Sequence, residues 1–208
     1  MTTTPRRKPG PAPAFDADAA LDAAMRLFWD RGYADVSMTD LLDATGVGRQ
    51  SFYNAFESKP AVFRQCVDRY VDRYQSQLLA LLQSDPSPDA SLVKFLTTWE
   101  KQTGGGGPGC LLINVYDDLP VLEPAAADRI RRAVARFESR VAARLSDAVD
   151  ANEVTPTMPP TRVARILVAT GNGLMLGCRD GRRHRNAGLL VDTYRALAPR
   201  ADNGMHPL

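Results

Sequence analysis

Cysteine and histidine are scarce in this chain. Its 208 residues include three cysteines, Cys66, Cys110 and Cys178, and no two of them form a CxxC pair. The odd count and the wide spacing argue against a disulfide framework or a zinc site. The two histidines, His184 and His206, lie near the C-terminus, without metal-ligand spacing or a nucleophile-base pair. The sequence therefore predicts no metal site, no cofactor and no catalytic residues.

Long apolar runs are also missing. No stretch approaches the roughly 20 apolar residues that a membrane-spanning helix needs, and no charged-then-apolar leader precedes the first predicted helix. We therefore expect a cytoplasmic protein without a membrane partner. The net charge is only +2, because acidic residues offset the basic ones. Binding to a polyanion must then depend on where the charges are placed rather than on bulk charge.

The segment from residue 37 to residue 56 predicts two short helices joined by a glycine turn. Ser37 is a good N-cap, and Asp40 three residues later completes an approximate capping box, so a helix begins there. Gly46 suits the left-handed position that ends a helix, and residues 47–48 lead into the next one. A further helix begins near Ser58. This order is typical of a helix-turn-helix, which indicates DNA binding.

The second helix of the motif has one polar face and one apolar face. Its outward residues are Arg49, Gln50, Tyr53 and Asn54. Arginine can bind guanine with a forked pair of hydrogen bonds, glutamine and asparagine can pair with adenine, and a tyrosine hydroxyl suits a phosphate. We interpret this face as a DNA-reading surface. The alternative is a helical hairpin that packs only on its own protein.

These features resemble the N-terminal domain of the TetR family of bacterial transcriptional regulators. The likeness covers residues 15–70, and the segments that carry it are 24–33, 39–48 and 51–56, with Lys59 just beyond. The resemblance implies that four side chains hold DNA phosphates: Ser37, Thr39, Tyr53 and Lys59. It also implies that five residues face the major groove: Gly48, Arg49, Gln50, Ser51 and Asn54. The DNA partner that it implies is a palindromic, double-stranded operator bound by a homodimer.

The rest of the chain is predicted to be helical as well, so the fold class is all-α. We expect a flexible basic arm over residues 1–14, a helix-turn-helix domain over 15–57, an effector-binding and dimerisation domain over 58–200, and a flexible tail over 201–208. A long fourth helix from near Ser58 connects the two domains. Its apolar residues recur at helical spacing from Phe63 to Leu81.

The last two predicted helices, about residues 161–179 and 186–197, are expected to form the dimer interface. Glycines inside the first of them cost roughly 1 kcal/mol each relative to alanine, and close helix packing is the expected compensation. A kinked helix beside a ligand is the alternative. The predicted interface residues are Val163, Leu167, Thr170, Gly173, Leu174, Gly177, Leu190, Thr193 and Leu197. Two such helices from each subunit would make a four-helix interface.

The middle of the chain is expected to enclose a site for an apolar or aromatic small molecule. Aromatic walls with few polar groups suit such a ligand, although plain core packing is the alternative for any single ring. The aromatic candidates are Tyr70, Tyr74, Phe95, Trp99, Tyr116 and Phe137. The polar candidates are Asn114, Asp117 and Asn172.

Cys110 is a separate candidate, as a redox or electrophile sensor. It follows a glycine-rich segment and precedes a short predicted helix, whose N-terminal dipole favours a thiolate. The alternative role is packing of that short helix.

Together these patterns predict a ligand-responsive transcriptional regulator, a repressor that leaves its operator when an effector binds. The effector would shift the long fourth helix and change the separation of the two DNA-reading motifs. The other hypotheses are a helical small-molecule-binding protein without DNA readout, and an enzyme.

Overall fold

The computed structural model describes residues 16–103, 107–177 and 188–201. Regular structure in these ranges is helical, apart from an isolated antiparallel bridge between Val154 and Arg200. The prediction of an all-α fold is therefore confirmed. The predicted basic arm, Cys178 and both histidines lie outside the described residues.

Ten α-helices lie within the described ranges. They are α1 (Ala17–Arg31), α2 (Met38–Thr45), α3 (Arg49–Phe56), α4 (Lys59–Tyr70), α5 (Ser76–Ala80), α6 (Pro88–Thr103), α7 (Leu111–Asn114), α8 (Pro124–Asp150), α9 (Pro160–Gly177) and α10 (Leu189–Leu197). A π-helical turn, Val71–Gln75, connects α4 to α5, and short 3-10 turns occupy Leu81–Gln83 and Leu119–Val121.

Side-chain and glycine caps set the ends of the first helices as the sequence predicts. The Asp16 carboxylate accepts hydrogen bonds from the amides of residues 18 and 19 at the start of α1. Ser37 and Asp40 form the predicted capping box at the start of α2. Gly46 ends α2 with a φ of 65°. This left-handed conformation favours glycine and turns the chain into α3.

The described residues pack into two apolar clusters. The first joins α1–α4 to α7 and the first third of α8, and its largest fully buried rings are Phe28, Phe52 and Phe63. The second joins α5 and α6 to the rest of α8, α9 and α10. Burying one such ring stabilises the fold by roughly 1.5–3 kcal/mol. Because the first cluster extends from the helix-turn-helix into α4, α7 and α8, the motif is packed firmly against the second domain.

The fourth helix is not the single regular helix that its apolar spacing predicts. After α4 the backbone widens into the π turn, in which the Ser76 amide bonds to the Val71 carbonyl. The Ser76 hydroxyl bonds to the same carbonyl at 2.9 Å. Gln75 is the last residue of this turn, and it lies on the buried side.

The prediction for the dimer interface is wrong for its larger apolar residues. Val163, Leu167, Leu174 and Leu190 are buried in the second cluster of their own chain. The reason is that α9 carries apolar residues on both sides: Val163, Leu167 and Leu174 lie on the side that packs against α6, α8 and α10, and Leu190 lies in α10, which packs against α6 and α9. The other predicted interface residues keep partial or full exposure: Thr170, Gly173, Gly177, Thr193 and Leu197.

The outward face of α9 consists of small and apolar side chains. Ile166 is half-buried, Ala169 and Gly173 are exposed, and Leu176 has 49% of its surface exposed. A Cβ added at Gly173 would meet no atom within 4 Å. The backbone of α9 is therefore open to close approach from outside along this face.

Candidate functional site

The exposed face of α3 is formed by the polar residues that the sequence singles out. Arg49, Gln50, Tyr53 and Asn54 are all exposed, while Phe52 and the following apolar turn anchor the helix from beneath. The Gln50 side-chain NH₂ group donates to the side-chain oxygen Oδ1 of Asn54 at 3.1 Å. This bond holds two amide groups side by side on the outer surface. Both are types that can form paired hydrogen bonds with adenine.

Three more of the predicted DNA-contact residues lie at the starts of α2 and α3. Thr39 at the start of α2, and Gly48 and Ser51 at the start of α3, are exposed. Gly48 provides no side-chain cap for α3. The first-turn amides of that helix thus lack a side-chain partner and can donate to a phosphate.

Ser37 already has a structural role. Its hydroxyl accepts from the Asp40 amide at 3.1 Å and also bonds to the Asp40 carboxylate. The bond from Ser37, together with Arg31, holds the pKa of Asp40 well below its usual range. A phosphate at Ser37 would therefore compete with the cap of α2.

Lys59 lies at the start of α4, with its ammonium group 4.2 Å from the centre of the Tyr33 ring. Partial burial lowers the pKa of Lys59, and nearby aspartates oppose that shift. The ring attracts the cation and limits the positions that the long side chain can take. Lys59 is therefore a pre-positioned cation beside the helix-turn-helix.

A group of hydrogen bonds, which we call the α1–α7 contact, ties the end of α1 to the segment around α7. The Trp29 indole N–H donates to the Gly109 carbonyl at 3.0 Å, and the Asn114 side-chain amide donates to the Trp29 carbonyl at 3.0 Å. Further along, the Tyr33 amide donates to the Asp118 carboxylate at 2.6 Å. These bonds connect α1 and the turn after it to the segments on both sides of α7.

A cavity of about 50 Å³ lies between α4–α5, α6, α7, α8 and α9. The residues that line it are Tyr70, Tyr74, Gln75, Leu78, Trp99, Gln102, Cys110, Leu112, Ile113, Val134, Phe137, Val168, Asn172 and Met175. Its walls are mainly aromatic and aliphatic, and none of these residues is acidic or basic. Such a lining suits a small, uncharged and largely apolar molecule.

The cavity contains part of the predicted ligand site. Tyr70, Tyr74, Trp99, Phe137 and Asn172 line it, as does Cys110. Two cavity rings also contact α1, since Tyr70 and Tyr74 each pack edge-on against Trp29 with ring centres 4.9 Å apart. A molecule that moved either tyrosine would therefore press on the helix-turn-helix domain.

Four of the predicted ligand-site residues do not line this cavity, and their assignment to it was wrong. Phe95 is fully buried behind Trp99 and Phe137. Asn114 turns its amide toward the Trp29 and Pro108 carbonyls, where it supports the loop. Tyr116 and Asp117 are exposed, because the chain leaves α7 after Asn114 and runs along the surface.

Gln75 is a buried polar residue of the cavity that sequence reasoning missed. It lies four residues after Val71 and three before Leu78, so a polar side chain occupies an apolar position in the helical repeat. That interruption was the available signal. The π turn itself has no sequence signature and could not be predicted.

Cys110 lies between the two apolar clusters and is only partly exposed. Burial raises the pKa of its thiol, although hydrogen bonds from Tyr70 and from backbone amides at the start of α7 act in the opposite direction. The lowering expected from the start of α7, a helix of four residues, does not outweigh burial. A role in redox sensing stays a prediction.

Gly171 explains how α9 and the cavity fit together. A Cβ at this position would lie 2.3 Å from Cη2 of Trp99, so only glycine lets the indole ring pack against α9. The cost of this glycine in a helix is thus compensated by close packing against Trp99 of the same chain. Gly109 is constrained in a similar way, with a φ of 76° and the Met175 carbonyl 2.7 Å from the position of a Cβ.

The fold and site define a helix-turn-helix protein with a helical second domain that surrounds a cavity. The family model "Bacterial regulatory proteins, tetR family" matches residues 20–66, and the model "Tetracyclin repressor-like, C-terminal domain" matches residues 90–187. The chain is 30% identical over 182 residues to the HTH-type transcriptional repressor ComR of Escherichia coli K12, covering 85% of each protein. The chain belongs to the TetR family.

Other relatives and solved structures agree with this membership. The repressor DhaR of Mycobacterium sp. strain GP1 is 22% identical, with 88% of this chain and 92% of DhaR covered. Reduced E. coli NemR has the same fold, with a TM-score of 0.77 at 19% identity and coverage of 89% and 98%. A cysteine mutant of the TetR-family regulator CifR, solved with a 26-base-pair operator, has a TM-score of 0.78 at 23% identity and coverage of 90% and 100%.

Proposed function

We propose that this protein is a transcriptional repressor that binds a palindromic operator as a homodimer and releases it when a small molecule occupies the cavity. The observation that carries the proposal is the exposed face of α3, where an arginine, two amides and a tyrosine lie together above a buried aromatic anchor. ComR, a relative over most of the chain, is named as a repressor. The place of action is then the cytoplasm, where bacterial DNA lies.

The proposed division of labour follows the exposure of each side chain. Arg49, Gln50 and Asn54 read base edges, because they carry the groups that can form forked or paired hydrogen bonds. Tyr53, Lys59 and the first-turn amides of α3 hold phosphates, which fix the orientation of the helix without reading sequence. Thr39 and Ser51 supply further hydroxyl contacts, and Ser37 contributes mainly as the cap of α2.

The proposed dimer uses the outward face of α9. Ile166, Ala169, Gly173 and Leu176 form an apolar strip that another helix can approach closely, and α10 lies beside it. A twofold axis through this strip would place two copies of α3 on one operator. This proposal leaves out the four buried residues that were first expected at the interface, Val163, Leu167, Leu174 and Leu190.

Release is proposed to pass through the α1–α7 contact. Tyr70 and Tyr74 line the cavity and pack on Trp29, and Trp29 in turn holds the Gly109 carbonyl. A ligand that displaces the tyrosines moves α1 relative to α7 and so changes the spacing of the two reading heads. The coupling is set by the difference in ligand affinity between the two arrangements.

Selection of genomic DNA fragments by the purified protein tests this proposal. We expect enrichment of a small set of fragments that share a two-part palindrome, with half-sites about one helical turn apart or a multiple of that spacing. Arg49→Ala, which keeps the fold because the side chain is exposed, should lose the enrichment. Binding of wild-type protein without any shared motif would exclude a specific operator. A recovered motif without symmetry would exclude the dimeric arrangement.

A further inference from the structure

Gln75 has an unsatisfied polar atom inside the cavity. The residue is 9% exposed, and its Oε1 atom has no hydrogen-bond partner among the described residues. A buried carbonyl oxygen without a partner carries a large desolvation cost, and the great majority of such groups in folded proteins are paired. Because Gln75 lines the cavity, a molecule within that space is the natural partner.

The orientation of the Gln75 amide is fixed by its other end. The Nε2 group donates to the Ala133 carbonyl in α8 at 3.3 Å. A carbonyl can only accept, so the NH₂ group must face α8 and the oxygen must point away from the Ala133 carbonyl. The unsatisfied group is therefore an acceptor, and it calls for a donor.

Two other polar residues of the lining are at least partly buried. Burial raises the pKa of Tyr70 well above its usual range, and Cys110 adds to that shift while the Leu111 amide opposes it. Asn172 on α9 is half-buried. Tyr74 and Gln102, in contrast, are exposed and lie where the cavity meets the surface. The described lining thus combines apolar walls with a few polar groups, and among these Gln75 Oε1 is a buried acceptor without a partner.

We propose that the cavity binds an uncharged aromatic or apolar molecule that carries an N–H or O–H donor, and that this donor bonds to Gln75 Oε1. The inference rests on the proposed effector role of the cavity and specifies the chemistry of the effector. A cationic or anionic ligand would lose its hydration without a paired charge in the described lining. At about 50 Å³ the cavity accommodates only a few water-sized groups, so larger ligands require Tyr74 and Gln102 to move outward.

The location of Gln75 gives this bond a path to the DNA-reading domain. Gln75 ends the π turn, and π turns in helices are frequently found at functional sites. The same turn carries Tyr74, whose ring packs on Trp29 of α1. A ligand bound to Gln75 would therefore act on the π turn, which follows α4 directly.

Matched pairs of small ring compounds test the proposal on the free protein. The pairs are phenol with toluene, pyrrole with furan, and indole with benzofuran, and in each pair only the first member has a donor. Binding is measured by ligand-observed NMR and calorimetry for wild type and for Gln75→Met, which keeps an unbranched side chain of similar length without the acceptor. Gln77→Met is the matched control, because Gln77 is exposed on α5.

We expect the donor of at least one pair to bind wild type about tenfold more tightly than its partner, the size of one buried hydrogen bond. Gln75→Met should remove this preference and Gln77→Met should keep it. Equal binding within every pair, a preference that survives in Gln75→Met, or no binding of any probe at millimolar concentration would overturn the proposal. This assay contains no DNA, so its result does not depend on the proposed function. If a separate titration shows that the bound donor compound leaves operator affinity unchanged, the proposed function is refuted and this inference stands.

Discussion

The Trp29 indole N–H donates to the Gly109 carbonyl at 3.0 Å, across 80 positions of sequence. This bond joins the last turn of α1 to the loop before Cys110. Trp29 also packs against Tyr70 and Tyr74 of the cavity wall. One side chain thus contacts both the DNA-reading domain and the proposed sensing site, and this position makes it the strongest candidate for transmitting a signal.

Trp29→Phe should weaken this connection while keeping an aromatic ring in place. Loss of the indole donor leaves the Gly109 carbonyl without that bond, so we expect the free energy of unfolding to fall by about 1 kcal/mol. Hydrogen exchange should accelerate over residues 107–112 more than over α2 and α3. Chemical denaturation and exchange mass spectrometry measure the two effects, and Tyr116→Phe is a surface control. Unchanged exchange in that loop would show that Trp29 does not hold it.

Arg49 and Lys59 should differ in what they contribute to DNA binding. Arg49→Lys removes the forked pair of donors, so preference at one operator position should fall by roughly 1–3 kcal/mol. Lys59→Ala should weaken all sequences alike and reduce the slope of log affinity against log salt by about one. Titrations over an operator library at several salt concentrations separate the two effects. A retained base preference in Arg49→Lys would remove that residue from base reading.

The two glycines of α9 should respond in opposite ways. Gly171→Ala puts a Cβ into the Trp99 ring, and we expect a loss of roughly 1–3 kcal/mol in the free energy of unfolding. Gly173→Leu faces open space within the chain, so the fold should persist while the proposed dimer dissociates. Thermal melting and sedimentation velocity report these outcomes. Ala135→Leu on the exposed side of α8 is the control.

A fully dimeric Gly173→Leu protein would place the subunit interface elsewhere. A Gly171→Ala protein with wild-type melting behaviour would mean that Trp99 can move without cost, contrary to its tight packing.

Asp89 should make stability depend on acid pH. Its carboxylate, nearly buried, accepts from Arg195 at 2.6 Å and from the Tyr194 hydroxyl at 2.8 Å. Burial alone would raise its pKa, but these bonds outweigh burial and hold the pKa below the ordinary value of 3.8. Because the folded pKa is lower than the unfolded one, the stabilisation is present above about pH 4 and is lost as the pH falls below it.

Asp89→Asn should therefore lower the free energy of unfolding at neutral pH by roughly 1.5–3 kcal/mol, the usual value of a charge-assisted hydrogen bond. It should also flatten the decline in stability between pH 4 and more acid conditions. Denaturation over a pH series tests both effects. An equally steep acid decline in the variant would assign that pH dependence to other carboxylates.

Local signals predicted the DNA-reading motif well. Ser37, Asp40 and Gly46 set the ends of α2 by bonds and conformations that involve only near neighbours, so the sequence pattern was sufficient. The same holds for Arg49 and Tyr53, which are exposed on a short helix whose Phe52 is buried. Membership of the family then extends the assignment from a motif to the whole chain.

Long-range packing limited the prediction for the second domain. In α9, Val163 and Ile166 are both apolar, and only the positions of α6 and α8 decide which of them is buried. Tyr116 looked like a cavity residue because it is aromatic, yet the end of α7 at Asn114 leaves it on the surface. Gln75 was overlooked because it is polar, although its spacing from Val71 and Leu78 puts it on the apolar side of the helix.

Operator affinity with the cavity covalently filled tests the central claim most directly. In a Cys178→Ser background, benzyl methanethiosulfonate would form a mixed disulfide with Cys110, which lines the cavity, and so attach a benzylthio group with loss of methanesulfinate, while Cys66 is fully buried. The same treatment of Cys110→Ser in that background is the control, and mass spectrometry establishes the site of attachment. If filling the cavity releases DNA, operator affinity should fall by about 5- to 150-fold, the usual range for coupled sites. Complete modification at Cys110 with unchanged operator affinity would contradict the account.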